Sequence, residues 1–224
     1  LAVAQWGPRK NIENTISWFM EEFIDQEVGL VLKVNTMRNS VMDKNWTKTS
    51  LKRVLRRPQY KNRKCKVYLL HGDLSPGQMT WLYSHDKIKA MVSIAHGEGF
   101  GLPLYEASRE ALPVVTVGWS GQLDFLVHDG KSMFSEVDYT IQPVKKDAVW
   151  EGVIEKESMW AYADQGSYKM KLRDMRKNWK KHKEVALQLQ TLNLEKFSDD
   201  KLYAGFVDAV LGNNESEEEE MIVL

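Results

Sequence analysis

Short runs rich in Val, Leu and Ile alternate with stretches that repeat apolar residues at helical spacing, and this alternation up to Val117 constrains the fold most strongly. Leu1 to Gln5 is an apolar, strand-like opening, followed by Gly7-Pro8-Arg9-Lys10-Asn11. Ile12, Ile16, Phe19, Met20 and Phe23 then fall on one face of a helix, which that spacing predicts to be buried. Val28 to Val34 fits a strand covered on both faces. Further strands are expected at Lys66 to Leu70, Ala90 to Ile94 and Val114 to Val117. Helices are expected over Thr47 to Leu55, from Ser75-Pro76 through Tyr83, and from Leu104 to Ala111. Strand and helix in strict alternation predict an α/β fold with a doubly wound parallel sheet.

Past Val117 the pattern loosens into a turn at Gly118 to Gly121 and a mixed stretch to Trp150. Helices are expected near Tyr168 to Leu189 and Asp199 to Leu211, packed on the sheet rather than around a second core. The expectation is one domain over residues 1–211 and an acidic tail over 212–224, because Glu215 to Glu220 is too charged to bury a core. With 31 basic and 31 acidic residues the chain is neutral, which argues against wholesale polyanion binding. Cys65 is the only cysteine, so there is no disulfide framework and no cysteine metal cage. No apolar run approaches a membrane span, and the opening residues lack the order of a signal peptide, so a cytoplasmic location is expected.

The segment His96-Gly97-Glu98-Gly99-Phe100-Gly101-Leu102-Pro103-Leu104-Tyr105-Glu106 lies between a strand and a helix. Ligands of doubly wound sheets bind at the carboxyl ends of strands, so a site belongs in this loop. Its three glycines permit close backbone approach, and the helix that follows offers free N–H groups. One carboxylate in the loop and another expected in the first helical turn suit the hydroxyls of a sugar and a ribose. Spacing alone equally permits a glycine-rich connector with two solvated glutamates. The glycines do not follow the dinucleotide pattern. Gly118-Trp119-Ser120-Gly121 lacks the last glycine of a nucleophile elbow and reads as a tight turn. The histidines at 71, 85, 96, 128 and 182 have no ligand spacing and no Asp-x-Asp occurs, so neither a metal nor a cofactor is expected.

Taken together, these residues resemble the retaining GT-B glycosyltransferases of group 1, related to glycogen synthase, sucrose synthase and bacterial mannosyltransferases. Glu98 and Glu106 match the family's E-x7-E signature, within Glu98-Gly99-Phe100-Gly101-Leu102-Pro103 and Glu106-Ala107. Ala111-Leu112-Pro113-Val114-Val115 is similar to its G-x-P-V-V strand. Supporting matches are Pro8-Arg9-Lys10-Asn11, His71-Gly72-Asp73-Leu74-Ser75, and Met159-Trp160-Ala161 with Asp164. The resemblance implies the Rossmann-like C-terminal half of a GT-B fold, which binds a nucleoside-diphosphate sugar for metal-independent transfer. It implies that Glu98 holds the sugar, that Gly99, Phe100, Gly101 and Leu102 line it with backbone, and that Glu106 binds the ribose. Lys10 would neutralise the leaving diphosphate and share the catalytic role with Glu98, with Arg9 assisting. The family's arginine five or six residues earlier is replaced by Ala4 or Gln5. Leu1 falls where the second Rossmann-like domain starts, so an N-terminal acceptor domain is expected in cis or trans, and the acceptor stays unnamed.

Lys44 to Lys66 holds ten Lys or Arg and no acid, interleaved with Trp46 and Tyr60. This segment raises a rival reading as a non-catalytic module for nucleic acid or an acidic partner, but a solvated helix face and loop beside the cleft is the favoured account and nucleic acid is not expected. A GT-B-fold sugar-nucleotide epimerase is the other rival.

Overall fold

The computed structural model describes residues 1–212, so the acidic tail expected over 212–224 lies, apart from Gly212, outside the described residues. Strands β1 (Ala2–Gln5), β2 (Gly29–Asn35) and β3 (Lys66–Leu70) pair in parallel in that order. β4 (Met91–Ser93) pairs in parallel with β5 (Val114–Val117). After a small antiparallel hairpin of β6 (Val127–His128) and β7 (Lys131–Ser132), β8 (Ser135–Val137) adds in parallel to β5. The two ribbons meet at Leu1, whose nitrogen donates to the Ala90 carbonyl at 2.9 Å and whose carbonyl accepts from Val92 N–H at 2.8 Å. Across that seam the order reads β3-β2-β1-β4-β5-β8, so the winding direction reverses between β1 and β4. Such a reversal opens a crevice at the carboxyl ends of the strands.

Helices cover both faces, as the alternation predicts. One face carries α1 (Ile12–Glu22), α2 (Val41–Leu55) and α6 (Gln165–Lys177), joined in a core that includes Ile16, Met20, Val54 and Tyr168. The other carries α3 (Pro76–Ser84), α4 (Leu102–Arg109) and α7 (Trp179–Lys196), with Tyr83, Leu104, Ala107 and Leu189 packed together and the short α5 (Leu123–Leu126) beside them. α3 starts on a capping box in which Ser75 and Gln78 exchange hydrogen bonds.

Several local expectations are corrected. In β2 only Leu30, Leu32 and Val34 are fully buried, while Val31 and Lys33 are half-buried, because the strand lies one place from the sheet edge. α2 begins at Val41, six residues before Thr47, because Ser40 caps it by accepting from Asp43 N–H at 3.1 Å. The helix expected from Tyr168 to Leu189 is two, divided at Asn178. The break carries the chain from one face of the sheet to the other, and a straight helix cannot serve both. An antiparallel pair of β9 (Tyr139–Pro143) and β10 (Met159–Ala163) fills the mixed stretch. Val144, Ala148 and Trp160 form a small cluster of their own there, while α6 and α7 pack on the sheet as expected, through Tyr168 and Leu172 on one face and Leu189 on the other. The last helix, α8 (Asp199–Leu211), does not pack on the sheet, and none of its residues is buried.

Asp43 ties the loops at the carboxyl edge. It is 4% exposed, and its carboxylate accepts from the N–H groups of Thr36, Met37 and Asn39 at 2.9 to 3.1 Å and meets His71 Nε2 at 3.2 Å. Burial raises its pKa, but these hydrogen bonds together outweigh it and hold the carboxyl below its ordinary value. A carboxyl depressed in the folded state stabilises above its unfolded pKa, and that stability is lost as pH falls through the folded value. Asp43→Ala is therefore expected to cost on the order of 3 kcal/mol at neutral pH. Denaturant titrations at pH 7 and at pH 3 should show this deficit shrinking in acid.

Candidate functional site

The first wall of the crevice is the loop after β1. Gly7 and Pro8 begin a single 3-10 turn, Pro8–Lys10, and Asn11 takes a left-handed conformation with φ 53° that turns the chain into α1. Asparagine tolerates that conformation better than most residues. Its side chain donates to the Ile94 carbonyl at 3.2 Å, and His96 N–H donates to the Arg9 carbonyl at 2.8 Å. Both bonds fasten the β1 loop to the loop after β4.

The second wall is the glycine segment. Gly101 sits at φ 89°, a left-handed value that lets α4 start at once on Leu102-Pro103. Among the described residues, the N–H groups of Gly99, Phe100 and Gly101 meet no protein acceptor. The loop is clamped from behind by the turn after β5. Ser120, at φ 81°, accepts from Glu98 N–H at 3.0 Å and donates to the Glu98 carbonyl at 2.6 Å, and Gly121 N–H donates to the same carbonyl at 3.0 Å. A Cβ on Gly121 would overlap the Gly99 carbonyl. Gly118-Trp119-Ser120-Gly121 is thus the expected turn, and its clamp on Glu98 is a role the sequence did not signal. The Phe100 ring leaves the crevice and packs on Tyr105, Phe125 and Phe197, with centroids 5.0 to 6.0 Å apart.

Lys10 Nζ lies 2.5 and 2.6 Å from the two Glu98 oxygens, and Arg9 donates to Glu98 Oε2 at 3.0 Å and to the Gly97 carbonyl. The Glu98 side chain is 10% exposed, a carboxylate that burial would penalise heavily without its two cations. His96 lies flat on Trp160, 5.1 Å between centroids, and its Nδ1–H donates to the Ala161 carbonyl at 2.7 Å. Burial lowers its pKa, so the imidazole stays neutral at pH 7.

Glu106 stands apart from this cluster. It belongs to the second turn of α4, not the expected first, because the helix starts two residues before Leu104. Its carboxylate accepts from the buried Tyr83 hydroxyl at 2.9 Å, and the phenol is pushed well above its usual range by burial and by that carboxylate. Glu106 opens on a cavity of about 680 Å³ whose walls include Leu74, Pro76, Met79 and Tyr83. Among the described residues, no three of His, Cys, Asp and Glu converge in a metal-ligand cluster.

No family model and no curated protein matches the chain in sequence. In structure it is similar to HepE of Anabaena in complex with UDP and glucose, with a TM-score of 0.62 and 14% identity over 94% of this chain and 47% of that one. A glycosyltransferase of Rickettsia africae superposes equally well, at 0.62 and 11% identity over 95% and 47%. The C-terminal domain of the group 1 glycosyltransferase LpcC from Francisella tularensis gives 0.54 and 14% over 88% and 84%. This chain has the fold of a GT-B C-terminal domain. It spans about half the length of the first two chains and most of the third, a single C-terminal domain.

In this fold the turn after β5 should govern the shape of the glycine loop. Gly121→Ala is expected to destabilise by about 3 kcal/mol or more, since the loop backbone must shift to relieve the overlap. Ser120→Ala, which loses only the hydroxyl contacts, should cost about 1 to 2 kcal/mol. Thermal melts compared with the unmodified chain check both, and an unaffected Gly121→Ala would contradict the clamp.

Proposed function

We propose that the chain is the donor-binding half of a retaining, metal-independent glycosyltransferase that takes a nucleoside-diphosphate sugar. The observation that carries this is the meeting of Lys10 and Arg9 from one wall with Glu98 from the other, at the switch point of a GT-B fold. Each partner suits one part of the donor. The diphosphate takes Lys10 and Arg9, and the sugar hydroxyls replace them on Glu98. The cations then offset the charge that gathers on the diphosphate as the glycosidic bond breaks, an electrostatic contribution in place of a metal. Glu106, held by Tyr83 beside the 680 Å³ cavity, receives the ribose hydroxyls, and the free N–H groups of Gly99 to Gly101 face the sugar. The UDP and glucose bound by HepE support this ligand class, and the E-x7-E segment supports retention. A second half, in cis or trans, supplies the acceptor. Without it the bound donor has no partner held against its anomeric carbon, and positioning of that kind is worth effective molarities of roughly 10⁵ M or more.

Calorimetric titration with UDP, GDP and ADP tests the reading. At least one should bind, equally well with EDTA, and strict dependence on magnesium or binding of none would defeat it. Lys10→Ala should weaken the nucleotide at least tenfold, a loss of about 1.4 kcal/mol. Glu106→Ala should weaken nucleotide and sugar nucleotide alike.

Glu98→Gln has an opposite expected sign for the two ligands. Removing its charge frees both cations, so the bare nucleoside diphosphate should bind more tightly, while the sugar-bearing donor loses its preference over it. Parallel losses for both ligands would overturn the assignment of Glu98 to the sugar. Turnover of the sugar nucleotide by itself, without acceptor, would point to an epimerase.

A further inference from the structure

The exposed side of α2 carries charge that the crevice does not use. Lys44, Lys48, Lys52 and Arg56 follow one another every fourth residue, so they form one row along the helix, all exposed. Arg53 is exposed on the same side, and Lys61, Lys64 and Lys66 continue the exposed charge past the helix end. Among the described residues none of these eight cations has an acidic partner, whereas Arg57 in the same segment pairs with Glu13 at 3.1 Å. The chain is neutral overall, so ten cations without one acid between Lys44 and Lys66 leave the remainder acidic by ten. The first turns of α2 add apolar side chains that cover nothing: Val41 is 77% exposed, Met42 69% and Trp46 58%, with Met37 just before them at 60%.

We infer that this face of α2 docks on an anionic lipid surface. Four to eight clustered Lys and Arg on a helix are the electrostatic signature of attraction to acidic headgroups. Tryptophan is the side chain that settles at the headgroup level, apolar body inward and N–H outward. The apolar side chains decide against a nucleic acid as the partner, because a phosphate backbone gives Val41, Met42 and Met37 nothing to bury against. A bilayer interface accepts all four. No helix among the described residues is long and apolar enough to cross a membrane, so the contact is peripheral. α2 runs back along the sheet from the loop after β2, which places its apolar start at the carboxyl edge where the crevice opens. The inference stands independently of the donor reading.

Co-sedimentation of the whole chain with vesicles tests it. With 30 mol% phosphatidylglycerol in phosphatidylcholine most of the protein should pellet at low salt, and with pure phosphatidylcholine it should not. In 0.5 M NaCl binding should fall at least tenfold, because screening removes the attraction of exposed charges. The triple variant Lys48→Glu, Lys52→Glu, Arg56→Glu should lose binding by at least tenfold, and Trp46→Ala by several-fold, with unchanged thermal melts. A charge-matched control on α6 and α7, Lys177→Glu, Lys180→Glu, Lys181→Glu, should bind like the unmodified chain. Equal binding to neutral vesicles, equal loss in the control, or capture of an RNA or DNA oligonucleotide without vesicle binding would overturn it.

Discussion

β1 and β4 are adjacent, the chain winds away from them in opposite directions, and among the described residues the backbone hydrogen bonds that join the two ribbons are the pair at Leu1. Beyond that seam the chain leaves β1 to one side and β4 to the other, and a crevice opens that backbone pairing cannot close. Charge bridges it instead. Arg9 and Lys10 reach across to Glu98, and none of the three belongs to the wall it contacts. A carboxylate as enclosed as Glu98 is expensive unless paired. The same pairing fixes the positions of both cations. The two walls of the crevice are therefore joined by opposite charges, contributed by Arg9 and Lys10 on one side and Glu98 on the other.

The Glu98 loop itself has little intrinsic rigidity, since three of its residues are glycine. Its shape comes from outside. Ser120 and Gly121 hold both backbone groups of Glu98 from behind. Phe100 anchors the next stretch in an aromatic cluster with Tyr105, Phe125 and Phe197, drawing on α4, α5 and the end of α7. His96 joins the loop to β10 through Ala161 and to the β1 loop through Arg9. The glycines permit the path, and neighbours far along the chain select it.

Burial in the second half of the chain follows the route rather than the composition. α6 serves the face of α1, and the break at Asn178 sends α7 to the face of α4, where Asn193 reaches Ser108 at 2.9 Å. α8 is left with Leu202, Tyr203, Phe206, Val207 and Val210 exposed along one side.

By itself the sequence determined the alternation of strands and helices, the two-faced burial of the sheet and the placing of Lys10 and Glu98 at strand ends. These are legible because periods of two and of 3.6 residues, and the capping at Ser75 or the proline at Pro8, are local properties of the chain. Only the tertiary structure decided that Lys10 and Arg9 share Glu98, that Ser120 clamps it, and that Tyr83 takes up Glu106. Each of those contacts joins residues far apart in sequence, from 22 positions for Ser120 to 89 for Arg9. The orientation of Glu106 shows the reason. Its distance of eight residues from Glu98 is fixed by sequence, but its direction depends on the residue at which α4 starts. Gly101 sets that start by adopting a left-handed turn, and a glycine chooses between its many allowed conformations only when the surrounding packing and hydrogen bonds choose for it.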